Sequence, residues 1–185
     1  MHQAPDMSGE RLQTILVKHC LVSADAIEWA IAFTRDRDFT WLEQLVLLGA
    51  IDEEQLCECT VRAAWVPRCP VEELARIPLP VLACLPPEVA AEHRAVPVGF
   101  DSDGDVRVAM LDPTDLAAVK EVEFFAGRRV MREAAAATPI AWALYSHYGR
   151  RSPLWPPVQH AAQQRHVSET GGGSMYAAQQ LASQP

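Results

Sequence analysis

Leu12, Ile15, Leu16 and His19 recur at the spacing of one helix face, so the chain opens on a short amphipathic helix. That pattern ends near Cys20. Ser23 then stands where an N-cap would start a second helix, with Ile27, Ala30 and Ile31 on one face. After the charged break Arg35-Asp36-Arg37-Asp38, the residues Trp41, Leu42, Leu45 and Val46 predict a third helix, stopped by Gly49 as a C-terminal glycine. Asp52 with Gln55 predicts a capping box for a fourth helix, through Leu56 and Val61 to Trp65, and Pro67 closes it.

These four helices are two copies of one unit. Aligned at a constant offset, Leu16-Val17 matches Leu45-Val46, Cys20 matches Gly49, Val22 matches Ile51 and Ile27 matches Leu56. A repeated helix, tight turn and capped helix implies a duplicated hairpin packed on itself.

Beyond Pro67 the period changes. Leu85-Pro86-Pro87 opens a helix with prolines at its first positions, running through Val89 to Arg94. Ala95 to Phe100 and Val106 to Leu111 read as strands joined through Asp103-Gly104, a hairpin-turn dipeptide. Asp112-Pro113-Thr114-Asp115 leads into a helix with Leu116, Val119, Val122 and Phe125 at core spacing, ended by Gly127. Arg128 to Glu133 reads as a third strand, and Thr138-Pro139 opens a last helix to Gly149. The predicted class is α+β: a four-helix subdomain over 8–66, then a small α-β-β-α-β-α sandwich over 70–149. Residues 150–185 lose the pattern in Pro-, Gln- and Gly-rich runs and read as a flexible tail.

Composition narrows the chemistry. The 185 residues carry 16 Lys plus Arg against 24 Asp plus Glu, a formal net charge of −8. So acidic a chain is a poor partner for nucleic acid, whose phosphates demand a basic field. With no apolar run of membrane-spanning length and no basic-then-apolar start, the expected setting is the cytoplasm, without membrane insertion. Five cysteines are an odd count for a disulfide framework, and Cys57, Cys59 and Cys69 lack a knuckle spacing and a fourth ligand. They read as buried small hydrophobes, and neither a metal nor a cofactor is expected.

Other chemistry-bearing types read more simply as structure. Asp101, Asp103, Asp105 and Asp112 carry alternate carboxylates, but glycine sits at the wrong position for a calcium loop, leaving a solvated hairpin tip. Ser23 with His19 and Asp25 lacks the strained nucleophile turn of a hydrolase. Trp29, Trp41 and Trp65 fall at core-like positions, and Arg128, Arg129 and Arg132 form a small basic cluster on the third strand. There is no Gly-x-x-x-x-Gly-Lys-Ser/Thr run, hence no phosphate cradle and no expected enzyme activity.

The run Leu85-Pro86-Pro87-Glu88, Ala95-Val96-Pro97-Val98, Val108-Ala109-Met110-Leu111-Asp112-Pro113-Thr114-Asp115 and Tyr148-Gly149 resembles a known family. It is similar to the N-terminal domain of the ATPases that power type II secretion and type IV pilus assembly, the GspE N-terminal or MshEN-type domain. The helical repeats resemble the same family's upstream portion, so the likeness covers roughly residues 10–149. Some members of that family bind cyclic di-GMP through an Arg-Leu-Gly-x-x-Leu-Val-x-x-Gly-Leu-Ile unit. Here Arg11, Leu12, Leu16, Val17, Leu21 and Val22 match in the first copy, with Gln13 and Cys20 replacing both glycines. In the second copy Gly49, Leu45, Val46 and Ile51 match, while Thr40, Trp41 and Leu42 stand at the Arg-Leu-Gly positions.

The resemblance implies a non-catalytic regulatory or docking module. Its partner would be a protein, such as a secretion or pilus motor ATPase or its inner-membrane platform protein. The alternative it implies is a cyclic di-GMP sensor using Arg11, Leu12, Leu16, Gly49, Ile51 and Asp112.

Overall fold

The computed structural model describes residues 10–19 and 21–155. The Pro-, Gln- and Gly-rich stretch from 156 onward lies outside them. The described chain is α+β: four helices, then a three-stranded sheet with helices packed around it.

The first half holds α1 (Glu10–Lys18), α2 (Ala24–Thr34), α3 (Trp41–Leu47) and α4 (Glu53–Ala64). Local chemistry sets their ends. Ser23 Oγ accepts from Ala26 N–H at the start of α2, and Asp52 accepts from Glu54 and Gln55 N–H at the start of α4. These caps fall at matching points of the two repeats, and each satisfies N–H groups that have no helical partner. The turns match too: Leu21 N–H donates to Leu16 O at 3.0 Å, and Ala50 N–H to Leu45 O at 2.9 Å. The reciprocal capping box forms at Thr40 and Glu43 on α3.

The second half adds α5 (Val71–Ala75), α6 (Leu79–Leu82), α7 (Pro87–Glu92), β1 (Ala95–Phe100), β2 (Val106–Met110), α8 (Leu116–Ala126), β3 (Val130–Ala134) and α9 (Ala137–Tyr148). The short helices α5 and α6 are additions to the sequence expectation; each is about one turn behind a proline and too short to show a period. The sheet runs β1-β2-β3, with β1 antiparallel and β3 parallel to β2. Pro97 is tolerated because β1 is an edge strand. Asp101 Oδ1 accepts from the N–H groups of Asp103 and Asp105, each at 2.9 Å, so the hairpin's acidic residues fold the turn. At the far edge of β3, Ala134 N–H donates to Pro67 O and Cys69 N–H to Ala134 O, which binds the 67–69 segment to the sheet.

Two cores result. Val96, Val106, Val108 and Met110 of the sheet pack with Val122 of α8 and Ile140 and Leu144 of α9. Leu12, Leu16, Leu45, Ile51 and Leu56 form the helical core, which also takes in Leu111 and Ala137 from the second half. The halves are therefore joined by packing through the second repeat. Residues 150–155, placed with the tail on composition, join this body: Ser152 is buried and donates to Glu43, and Leu154 packs against the helical core. The tryptophans also depart from expectation. Trp65 is 82% exposed and Trp29 48%, with Trp29 stacked on Phe33. Trp29 lies on α2 and Trp65 at the left-handed C-cap of α4, and among the described residues no second layer covers them.

Candidate functional site

At the junction of the halves a carboxylate is buried. Glu43 is 1% exposed and Arg94 5%. Arg94 Nε lies 3.0 Å from both Glu43 oxygens, Thr40 N–H donates to Oε2 at 2.8 Å and Ser152 Oγ donates to Oε1 at 2.7 Å. The Arg94 guanidinium also donates to the carbonyls of Ala91 and Asp38. An ion pair this deep persists only with further hydrogen bonds, and here both carboxylate oxygens and each guanidinium nitrogen have a partner. Arg94 reaches it with φ +46, a left-handed conformation strained for a residue with a Cβ.

The hub floors a divided cleft. On one side Thr40, Trp41 and Leu42 face Asp112 and His93 across a hollow of about 150 Å³. On the other, a wider hollow of about 660 Å³ is lined by Arg37, Phe39, Glu88, Arg150 and Arg151. Several guanidiniums there are already engaged: Arg150 pairs with Glu88, and Arg37 sits 4.0 Å over the Phe33 ring while donating to Phe33 O. Asp112 is half-buried in the smaller hollow, with Oδ1 accepting from Thr114 N–H at 3.0 Å and Thr114 Oγ1 at 2.5 Å. Burial pushes its carboxyl pKa up, and the two Thr114 hydrogen bonds pull against that.

The six candidate positions fall in different settings. Arg11 lies in α1, and its side chain is outside the described residues. Leu12 and Leu16 are fully buried and Ile51 is 4% exposed, all in the helical core. Gly49 follows α3 with φ +65, and a Cβ there would meet nothing within 4 Å. Asp112 lines the cleft beside Thr40, Trp41 and Leu42, the second copy's Arg-Leu-Gly positions. The hub residues Glu43, Arg94 and Ser152 were not singled out from sequence. Thr40-x-x-Glu43 carries a readable capping signal, but partners 51 and 109 residues away carry none.

The repeats also differ in what covers them. In the second copy, Cys57 packs with Ala134 and Ala136, Glu53 Oε2 accepts from Thr138 N–H at 2.9 Å, and Leu42 is buried in the core that includes Ala137. That face is the seam with the second half. The matching positions of the first copy, Gln13, Val17, Ala24, Ile27 and Glu28, line an open groove of about 430 Å³.

Other chemistry-bearing groups take structural roles. Ser23 is a cap, Arg128 donates to Gly104 O, and Arg132 donates to Pro113 O. Two sets of three ligand-type atoms converge among the described residues: Glu92, His93 and Glu121 beside the small hollow, and Cys69, Glu73 and Glu133 beneath α5. Burial, then the Glu133 carboxylate, push the Cys69 thiol up to about 12. No helix among the described residues is long and apolar enough to cross a membrane.

Comparison with known proteins fits this geometry. Residues 68–154 match the MshEN domain model. The type IV pilus assembly ATPase PilB of Thermus thermophilus is 30% identical over 155 residues, covering 82% of this chain and 17% of that protein. PilB of Myxococcus xanthus is 29% identical over 147 residues, covering 80% and 25%. The chain thus spans a quarter or less of the curated relatives it matches. Among solved structures, the N-terminal domain of XpsE superposes with a TM-score of 0.60 at 19% identity, over 78% of this chain and 96% of that one. The structure of MshE with cdg, cyclic di-GMP, gives 0.53 at 24% identity, over 75% and 99%. These two likenesses are likenesses of fold. Residues 68–154 thus match the MshEN domain, and the chain is homologous to the N-terminal region of the pilus-assembly ATPase PilB and similar in fold to the N-terminal domains of XpsE and MshE.

Proposed function

We propose that this chain is a non-catalytic docking module that engages a protein partner through the open face of its first helical repeat. One observation carries the proposal. The same face of the second repeat, at Leu42, Glu53 and Cys57, is a packing surface and holds the α/β half. Among the described residues the matching face of the first repeat is open, with Val17 40% exposed in its groove. Exposed Trp65, Leu79 and Phe124, each about four-fifths accessible, offer further contact area. With no Gly-x-x-x-x-Gly-Lys-Ser/Thr run in the chain, nucleotide hydrolysis is not its task. The partner class is a pilus or secretion motor ATPase or its platform protein, on the cytoplasmic side.

The test is titration calorimetry of the purified chain with a cognate motor ATPase and with the cytoplasmic part of the platform protein. Saturable binding that Val17→Asp removes is the expected result. Binding to neither, or binding indifferent to Val17→Asp, overturns the groove as the docking face.

A second reading, cyclic di-GMP sensing, is favoured by Asp112 standing across a hollow from Thr40, Trp41 and Leu42. The relative MshE has a structure with cyclic di-GMP. Against it, Leu12, Leu16 and Ile51 are spent on the core, leaving little side chain to meet a base. Calorimetry with cyclic di-GMP decides: binding lost on Asp112→Ala would replace the docking proposal with the sensor.

A further inference from the structure

We propose that Cys69, Glu73 and Glu133 form a binding site for a divalent metal ion of the zinc class. Cys69 lies on the segment hydrogen-bonded to the edge of β3, Glu133 on β3 itself and Glu73 on α5. Their ligand atoms all fall within 4.8 Å of one another. Tetrahedral zinc, with bonds of about 2.0–2.3 Å, sets its ligands roughly 3.5 Å apart, so side-chain rotations of about an ångström complete the set.

A second observation points into the same place. Glu133 is 5% exposed, and its Oε2 is buried with no N–H or O–H donor, only the weakly donating Cys69 thiol beside the carboxylate. A buried carboxylate oxygen left unpaired is unfavourable, so such atoms ordinarily have a partner. Beside this oxygen stands a cysteine sulfur that is 1% exposed.

Arg107 helps rather than blocks. Its Nε donates to Glu133 Oε1 at 2.6 Å, and its Nη2 contacts Glu73 Oε2 at 2.8 Å. Each carboxylate thus gives one oxygen to the guanidinium and keeps the other for an ion, the arrangement by which ligating carboxylates are commonly oriented. The charges also close. On binding, the Cys69 S–H bond breaks, its proton leaves to water and a sulfur–metal bond forms. One thiolate and two carboxylates against one guanidinium and one divalent ion then sum to zero. The thiolate selects zinc-like ions over magnesium and calcium. Glu73, with a 36% exposed side chain, opens the site to a water as fourth ligand.

The test uses the full chain, reduced with a non-thiol reductant and titrated with Co²⁺ and then Zn²⁺. One equivalent of Co²⁺ should produce a thiolate-to-cobalt charge-transfer band and the intense visible bands of tetrahedral cobalt. Zn²⁺ should displace it. Cys69→Ser should abolish the charge-transfer band, whereas Cys57→Ser and Cys84→Ser should leave it. Glu73→Gln, a near-isosteric change at a half-exposed side chain, should weaken binding at least about tenfold. Absence of the band, or a band that survives Cys69→Ser, overturns the proposal. Unchanged affinity in Glu73→Gln does so too.

Discussion

Replacing Arg94 with Met keeps the aliphatic stem and deletes the charge. Glu43 is then left at 1% exposure with only the Thr40 and Ser152 donors, and the Ala91 and Asp38 carbonyls each lose a partner. Removing one member of a buried, hydrogen-bonded pair destabilises by about 3–5 kcal/mol, because the other charge stays buried and uncompensated. An exposed pair would lose at most about 1 kcal/mol. For a chain of this size the larger figure lowers Tm by roughly 6–20 °C. Urea unfolding followed by far-UV circular dichroism is the assay, with the loss expected in the midpoint at constant slope. Glu43→Gln combined with Arg94→Met should be less damaging than the two single losses added, with a coupling of about 1–3 kcal/mol. An Arg94→Met loss under about 1 kcal/mol, or strict additivity, would refute the view that this hub joins the halves.

Three further outcomes are expected. Trp65 caps α4 at φ +55 while 82% exposed, so Trp65→Gly should raise stability by about 0.5–1 kcal/mol in urea melts, the relief of left-handed strain outweighing lost contact. Gly49 needs φ +65 in open space, so Gly49→Ala should lose about 1 kcal/mol from backbone strain alone and Gly49→Asn clearly less. Equal losses would point to a clash instead. Burial raises the Asp112 pKa, so its ionised form opposes folding at neutral pH. Asp112→Asn should therefore stabilise at pH 7, with the advantage shrinking as pH falls through the folded-state pKa and vanishing below the unfolded value near 3.9. Urea midpoints at pH 7 and about pH 3.5 check this, and an Asn variant less stable at pH 7 would show that the Thr114 hydrogen bonds outweigh burial.

The residues that capture their neighbours in sequence were the legible ones. Ser23 and Asp52 cap helices because a side-chain oxygen reaches an N–H two or three residues on. Leu16, Leu45, Ile27 and Leu56 declare a buried face by period alone, and the matched caps declare a duplication. The α+β class and the hairpin-helix-strand order follow from the same local rules. Period cannot say what lies opposite a face. Trp29 stacks on Phe33 of its own helix and stays 48% exposed, Trp65 stands exposed at the left-handed C-cap of α4, and the one-turn helices α5 and α6 are too short to carry a period.

What only the tertiary structure decided are the pairings between distant segments. Glu43 meets Arg94 and Ser152, Asp112 comes to face Thr40, and Cys69, set aside for want of ligand spacing, is brought beside Glu133 by β3 pairing. Most telling are the two repeats, alike at core positions such as Leu16 and Leu45 or Ile27 and Leu56. One packs against Ala134–Thr138, and the other, among the described residues, lines an open groove. By itself the sequence determined the duplicated unit, since helix period and caps are short-range. Which copy became the seam is a long-range packing outcome, in keeping with Leu42 and Cys57 standing where the first copy has Gln13 and Glu28.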